Sequence, residues 1–253
     1  MTRSLRSVIY VAAAALLLSP IPLFAQSVAA HVATRDYASD VACGARAAAS
    51  PPDTSLRIGP GLEGKTLFGP DETVVVKAGT TQGMKVGQEY FVRRVTPDRF
   101  VQPAGDKMTT SSIHTAGWIR IVDATADSAI AEVIKACDGI EAGDYLEPFV
   151  KPELPTTTSA GEPDFANPGH LILGDERRQM AAQGDLMVLD RGSDHGLHAG
   201  QRVTIFRSIG DAAGPIARIA EATALVVHPE SSVIRIEKTS GAVVVGDLVA
   251  IQR

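Results

Sequence analysis

Two stretches decide the fold: Glu72–Val95, ETVVVKAGTTQGMKVGQEYFVRRV, and Asp185–Ser208, DLMVLDRGSDHGLHAGQRVTIFRS. Laid side by side without gaps, Gly79, Gly83 and Gly87 fall on Gly192, Gly196 and Gly200, while Gln88 meets Gln201 and Arg94 meets Arg207. Glycines held in register in this way mark an internal repeat, one supersecondary unit used twice. In each copy an aliphatic run (Val74–Val76; Met187–Leu189) reads as a strand by composition and length. The Gly-x-x-x-Gly-x-x-x-Gly stretch that follows can neither continue a strand nor support a helix. It reads as a wide turn whose glycines allow positive φ or close backbone approach.

Working outward, a second strand follows at Glu89–Val95 and Arg202–Arg207, and a third at Trp118–Val122, loosely matched by Ile216–Val227. A fourth (Ala129–Val133; Val233–Ile236) leads into a closing strand through Gly143-Asp144 or Gly246-Asp247. The middles differ: a polar insert, Pro97–Ser112, stands where the second copy has the shorter turn Gly210–Gly214. Short strands punctuated by glycine turns predict an all-β protein with two small barrel- or sandwich-like modules related by internal duplication. The first module spans 55–150 and the second 169–253, joined by a Pro/Thr-rich linker over 151–168. Ser55–Phe68 and His170–Leu173 supply lead-in strands, and the Ala-rich segment within 26–54 fits a short helix or disorder.

The chain opens with Arg3 and Arg6, an uncharged apolar run Val8–Leu18 and a small residue, Ala25. That is the order of a secretory signal peptide, 1–25, cut after Ala25 or Ala30. Its apolar run falls short of the roughly 20 residues that span a bilayer. No cysteine stands at either junction, which argues against a lipid anchor, and no later segment is apolar enough to span. A periplasmic or secreted protein with no transmembrane segment after cleavage is expected. The net charge is −5 and the bases are scattered, with Arg93-Arg94 and Arg177-Arg178 the densest pairs, so no nucleic-acid stripe forms. Cys43 and Cys137 are the two cysteines. In an oxidising compartment an even count favours one disulfide, against two buried thiols as the alternative.

Candidate chemistry is thin. Gly59–Thr66, GPGLEGKT, satisfies the phosphate-loop pattern, but Leu67-Phe68-Gly69-Pro70 leaves no room for the helix that pattern needs. Asp190, Asp194, His195 and His198 could gather a divalent ion, yet the first copy has Thr81, Gln82 and Lys85 at three of those places. The module therefore folds without a metal, and these read as turn residues. No nucleophile elbow is present. Asp144 and Asp247 read as turn residues that accept hydrogen bonds from local amides, not as a catalytic carboxylate pair. Trp118, the single tryptophan, reads as a buried strand residue without aromatic neighbours in sequence. No catalytic, cofactor or metal residue is assigned.

The paired runs, with their strand, glycine turn, strand and closing I-x-x-G-D, resemble the C-terminal domain of flagellar assembly protein T. They are also similar to the β modules that accompany LysM domains in bacterial envelope proteins. The resemblance implies a non-enzymatic module of packing or assembly. It carries over no binding residue and no flagellar role. The expected function is that of an exported structural or protein-interaction module of the envelope, with an unidentified envelope protein as partner. A peptidoglycan- or glycan-binding module is the alternative, and a hydrolase with a site hidden from the sequence is the third reading. An aromatic-lined groove would favour the second, and an apolar face shared by both copies the first.

Overall fold

The computed structural model of the chain describes residues 37–48, 55–97, 111–158, 161–174, 178–210 and 214–253. The signal-peptide reading and most of the polar insert lie outside the described residues. In chain order the first half holds α1 (Tyr37–Cys43), β1 (Arg46–Ala48), β2 (Leu67–Phe68), β3 (Thr73–Val76) and β4 (Glu89–Pro97). It continues with β5 (Ser111–Ala124), β6 (Ala129–Ala136), β7 (Ile140–Glu141) and β8 (Tyr145–Pro148). The second half holds β9 (Gly169–Gly174), β10 (Met180–Ala181), β11 (Leu186–Leu189) and β12 (Arg202–Ser208). It ends with β13 (Ile216–Val227), β14 (Ser232–Thr239), β15 (Val243–Val244) and β16 (Leu248–Ile251).

Among the described residues the protein is all-β apart from α1 and short 3-10 turns. In the second half six strands close a barrel in the order β11-β14-β13-β12-β16-β9. In the first half the sheet runs β3-β6-β5-β4-β8. Its two outer strands are joined by bridges from Arg57 to Tyr145 and from Ile58 to Val76, so residues 57–58 take the part that β9 plays in the second barrel. The small pairs β2–β7 and β10–β15 also correspond.

Each barrel is filled by its own alternating aliphatic residues. Ile119, Ile121, Ala131 and Val133 lie in the first core, and Ile205, Ala222, Ile234 and Ile236 in the second. The glycine turn contributes the plug: Met84 and Leu197, each next after the second glycine, are fully buried. Two different constraints require the glycines. A Cβ on Gly79 would lie 2.4 Å from the Thr125 carbonyl oxygen, and one on Gly192 2.0 Å from that of His228, so only glycine lets the turn meet the opposite hairpin. Gly83 and Gly196 instead sit at φ 87° and 77°, in the left-handed region, with open space around them. Gly87, Gly200, Gly143 and Gly246 share that positive φ.

The Ala-rich segment becomes a structural element, here called the wing. β1 pairs antiparallel with the start of β5, Arg46 opposite Ile113. The Cys43–Cys137 disulfide is formed and ties the end of α1 to the chain just after β6. The wing is thus attached to the first barrel, yet it packs on the second. Val41 meets Leu186, Leu225 and Val233, and Ala45 meets Ile172, Leu173 and Val188. The Pro/Thr segment runs along the second barrel: Thr158 N donates to Gly200 O (2.8 Å), Glu162 N to Arg253 O (2.9 Å) and Asp164 N to Ile251 O (2.9 Å). Phe165 packs edge-on against Phe206 at 4.9 Å. Among the described residues no helix is long and apolar enough to cross a membrane.

Candidate binding site

The features shared by both barrels carry structural hydrogen bonds. Asp144 accepts from Glu141 N (2.8 Å) and from Arg94 Nε (2.9 Å) and Nη2 (2.8 Å). Asp247 accepts from Val244 N (2.8 Å) and from Arg207 Nε (2.5 Å) and Nη2 (2.8 Å). In each copy the same guanidinium also donates to a loop carbonyl, Gly139 or Ala242. These bidentate staples hold the closing turn of each barrel against β4 or β12. The aspartates are turn residues, as the sequence suggests. Their arginine partners, about fifty and forty positions upstream, were legible only as residues that repeat.

The other sequence candidates fall into place around the same framework. Asp190 turns away from the histidine pair: its Oδ1 accepts from His170 N (2.6 Å) and its Oδ2 lies 3.2 Å from His170 Nδ1. His195 Nδ1 accepts from Gly192 N at 3.2 Å, as Gln82 Oε1 accepts from Gly79 N at 2.8 Å in the first copy. Asp194 and His198 are exposed. Among the described residues no group of three or more His, Cys, Asp or Glu is arranged to hold a metal ion. In the Gly59–Thr66 segment the amides serve the sheet and the local turn: Gly59 N donates to Val75 O (2.6 Å) of β3, Gly61 N to Lys65 O (2.7 Å) within the turn, and Lys65 Nζ pairs with Glu72 (2.5 Å).

Trp118 differs from its expected role. It is half-buried on the outer wall of the first barrel, because the core residue of that stretch is Ile119 and the strand bulges between them. Its aromatic neighbours come from elsewhere in the chain: Phe149, just past β8, at 5.3 Å and Phe91 of β4 at 6.3 Å. Phe91 in turn lies under the Arg93 guanidinium at 4.1 Å.

Arg93 belongs to the concave part of the molecule. A cleft of roughly 460 Å³ opens where the wing, the outer wall of β4, the start of the linker and β13 meet. Its apolar wall includes Val41, Phe91, Val150, Leu225 and Val233, and Arg46, Arg93 and His228 stand beside them. Glu147 accepts from Arg46 Nη2 (2.5 Å), Arg93 Nε (3.3 Å) and the Tyr145 hydroxyl (3.3 Å), and Arg93 also donates to Thr115. Burial pushes the Arg93 pKa down, opposed by Glu147. Burial, and then the charges of Arg46 and Arg93, push the His228 pKa below its usual value. Burial, reinforced by Glu147, pushes the Tyr145 phenol up to about 12.

A second feature emerges from the repeat. Val75 pairs with Ile130 across β3 and β6, as Val188 pairs with Val233 across β11 and β14. Val122 and Leu225 occupy the matching bulges of β5 and β13. In the second barrel Val188, Leu225 and Val233 are 3%, 3% and 4% exposed, because the wing covers them. In the first barrel Val75, Val122 and Ile130 are 38%, 45% and 40% exposed. The same apolar face is therefore covered once and open once. The chain matches no known protein-family model and no curated protein.

Proposed function

We propose that this chain is an exported, non-catalytic protein of the bacterial envelope that works as a protein-interaction module. The observation that carries the reading is the repeated apolar face. On the second barrel that face already receives a protein element, the wing, and on the first barrel its counterpart Val75, Val122 and Ile130 faces outward. Exposed aliphatic groups on a face that the same fold uses for docking mark an interaction surface. The non-catalytic part of the reading is supported by the duplicated Arg and Asp residues, which are committed to holding turns. The resemblance to assembly and envelope modules points the same way. The glycan-binding reading has one observation of its own, the half-buried Trp118 stacked with Phe149 on the outer wall.

The test is an affinity capture from envelope extract using the mature protein and a variant with Val75→Lys and Ile130→Lys, with peptidoglycan sacculi sedimented in parallel. A partner held by the wild type and lost by the variant, without sedimentation, supports the proposal. Sedimentation with purified sacculi that Trp118→Ala abolishes would replace it with wall binding.

A further inference from the structure

The cleft between wing and barrels has no counterpart in the repeat, since its Phe91 is replaced by Thr204 and its Arg93 by Phe206 in the second copy. Its volume lies within the roughly 300–1,000 Å³ of ligand pockets, and its wall is mostly aliphatic. Its polar side is unbalanced. Two guanidiniums, Arg46 and Arg93, converge on one carboxylate, Glu147, with Arg93 almost wholly buried at 11% side-chain exposure. Lys151 and Glu153 at the linker offset each other, so among the Arg, Lys, Asp and Glu groups around the cleft one positive charge is left over. Burial works against the charged state of Arg93, and an incoming anion would relieve that cost.

We propose that this cleft is a receptor for a short aliphatic peptide with a free carboxylate, its side chains against Val150, Pro152, Val226 and Val227 and its carboxylate shared by Arg46 and Arg93. Charge complementarity selects the carboxylate and the apolar wall selects the aliphatic chain. The inference does not depend on the open face of the first barrel, and either can fail alone.

The probe is N-acetyl-leucyl-leucine, compared with its C-terminal amide and titrated into the full mature protein. Trp118 emission reports binding, because Trp118 and Arg93 both pack on Phe91. The acid is expected to bind saturably and the amide at least about tenfold more weakly. Arg46→Met, the more exposed of the two arginines, is expected to lose about tenfold in affinity for the acid with an unchanged circular-dichroism spectrum. Affinity is expected to rise as pH falls from 8 to 6, since a bound carboxylate raises the His228 pKa. The His228 imidazole resonances follow that shift directly. Equal binding of acid and amide, full affinity in folded Arg46→Met, or no saturation by about 10 mM acid would each overturn the proposal.

Discussion

Removing Arg94 tests what the duplicated staples contribute, and the repeat supplies an internal control. Asp144 is 4% exposed at its side chain and Asp247 3%, so the acceptors are equally buried. Their partners differ: Arg94 is 21% exposed and Arg207 42%. Deleting one member of a buried ion pair typically costs about 3–5 kcal/mol, because the survivor is left desolvated and unpaired. Water already reaches part of the Arg94 guanidinium, so Arg94→Met should sit at the low end, about 3 kcal/mol. Arg207→Met opens a site that solvent enters more easily and should cost about 1–2 kcal/mol. The Glu141 contact of Arg94 adds little, since Glu141 is half exposed.

The assay is equilibrium urea unfolding of residues 26–253. Trp118 fluorescence follows the first barrel and far-ultraviolet circular dichroism follows both. Adding Asp144→Asn to Arg94→Met should restore at least half of the loss, because asparagine can still accept from Glu141 N without a buried charge. A loss below about 1 kcal/mol for Arg94→Met refutes the reasoning. So does a larger loss for Arg207→Met than for Arg94→Met, or a double variant that recovers nothing.

Further expectations follow from the same geometry. Cys43→Ser with Cys137→Ser should lower stability by about 2–4 kcal/mol and raise binding of an apolar dye, as the wing loosens from Leu225 and Val233; unchanged dye binding would mean β1 alone holds it. Gly79→Ala should cost about 2–3 kcal/mol by collision with the Thr125 carbonyl. Gly83→Ala should cost about 1–2 kcal/mol through its left-handed backbone, with Gly83→Asn milder; thermal unfolding distinguishes the two mechanisms. Tyr145 is more basic when folded than when unfolded, so its contribution is complete below about pH 10 and is lost as pH rises toward 12. Burial raises the Tyr90 phenol as well, so spectrophotometric titration should find late-ionising phenols of which Tyr145→Phe removes the one near 12. His228 behaves in the opposite direction: its folded pKa is depressed, so stability falls as pH drops below about 6.5, and His228→Gln should remove that acid sensitivity in urea melts.

The barrels were legible because their turns demand glycine at fixed places, and a demand made twice becomes visible as a repeat. The arginine staples were half legible. Arg94 and Arg207 repeat, as do Asp144 and Asp247, but each bond joins a strand to the turn before its neighbour from far along the chain, and no local pattern encodes it. The wing was illegible in its own residues, since an Ala-rich segment suits several conformations and its docking partner lies more than a hundred positions later. One sign was present: Leu186–Leu189 reads LMVL and is buried on both faces, whereas Thr73–Val76 reads TVVV and alternates. A continuous aliphatic run signals a strand covered on both sides. The cleft could not be read at all, because its residues come from four separated segments, and the aromatic group around Trp118 escaped notice for the same reason.

The wing also imposes an order of events. As a chain emerges amino-terminus first, α1 appears at the outset with Val41 and Ala45 uncovered, while the surface that covers them is completed only with β14. Cys137 arrives well before that surface, so oxidation can fix the wing to the first barrel while the second does not yet exist. The early half then presents a preformed hook, and the late half finishes by closing onto it.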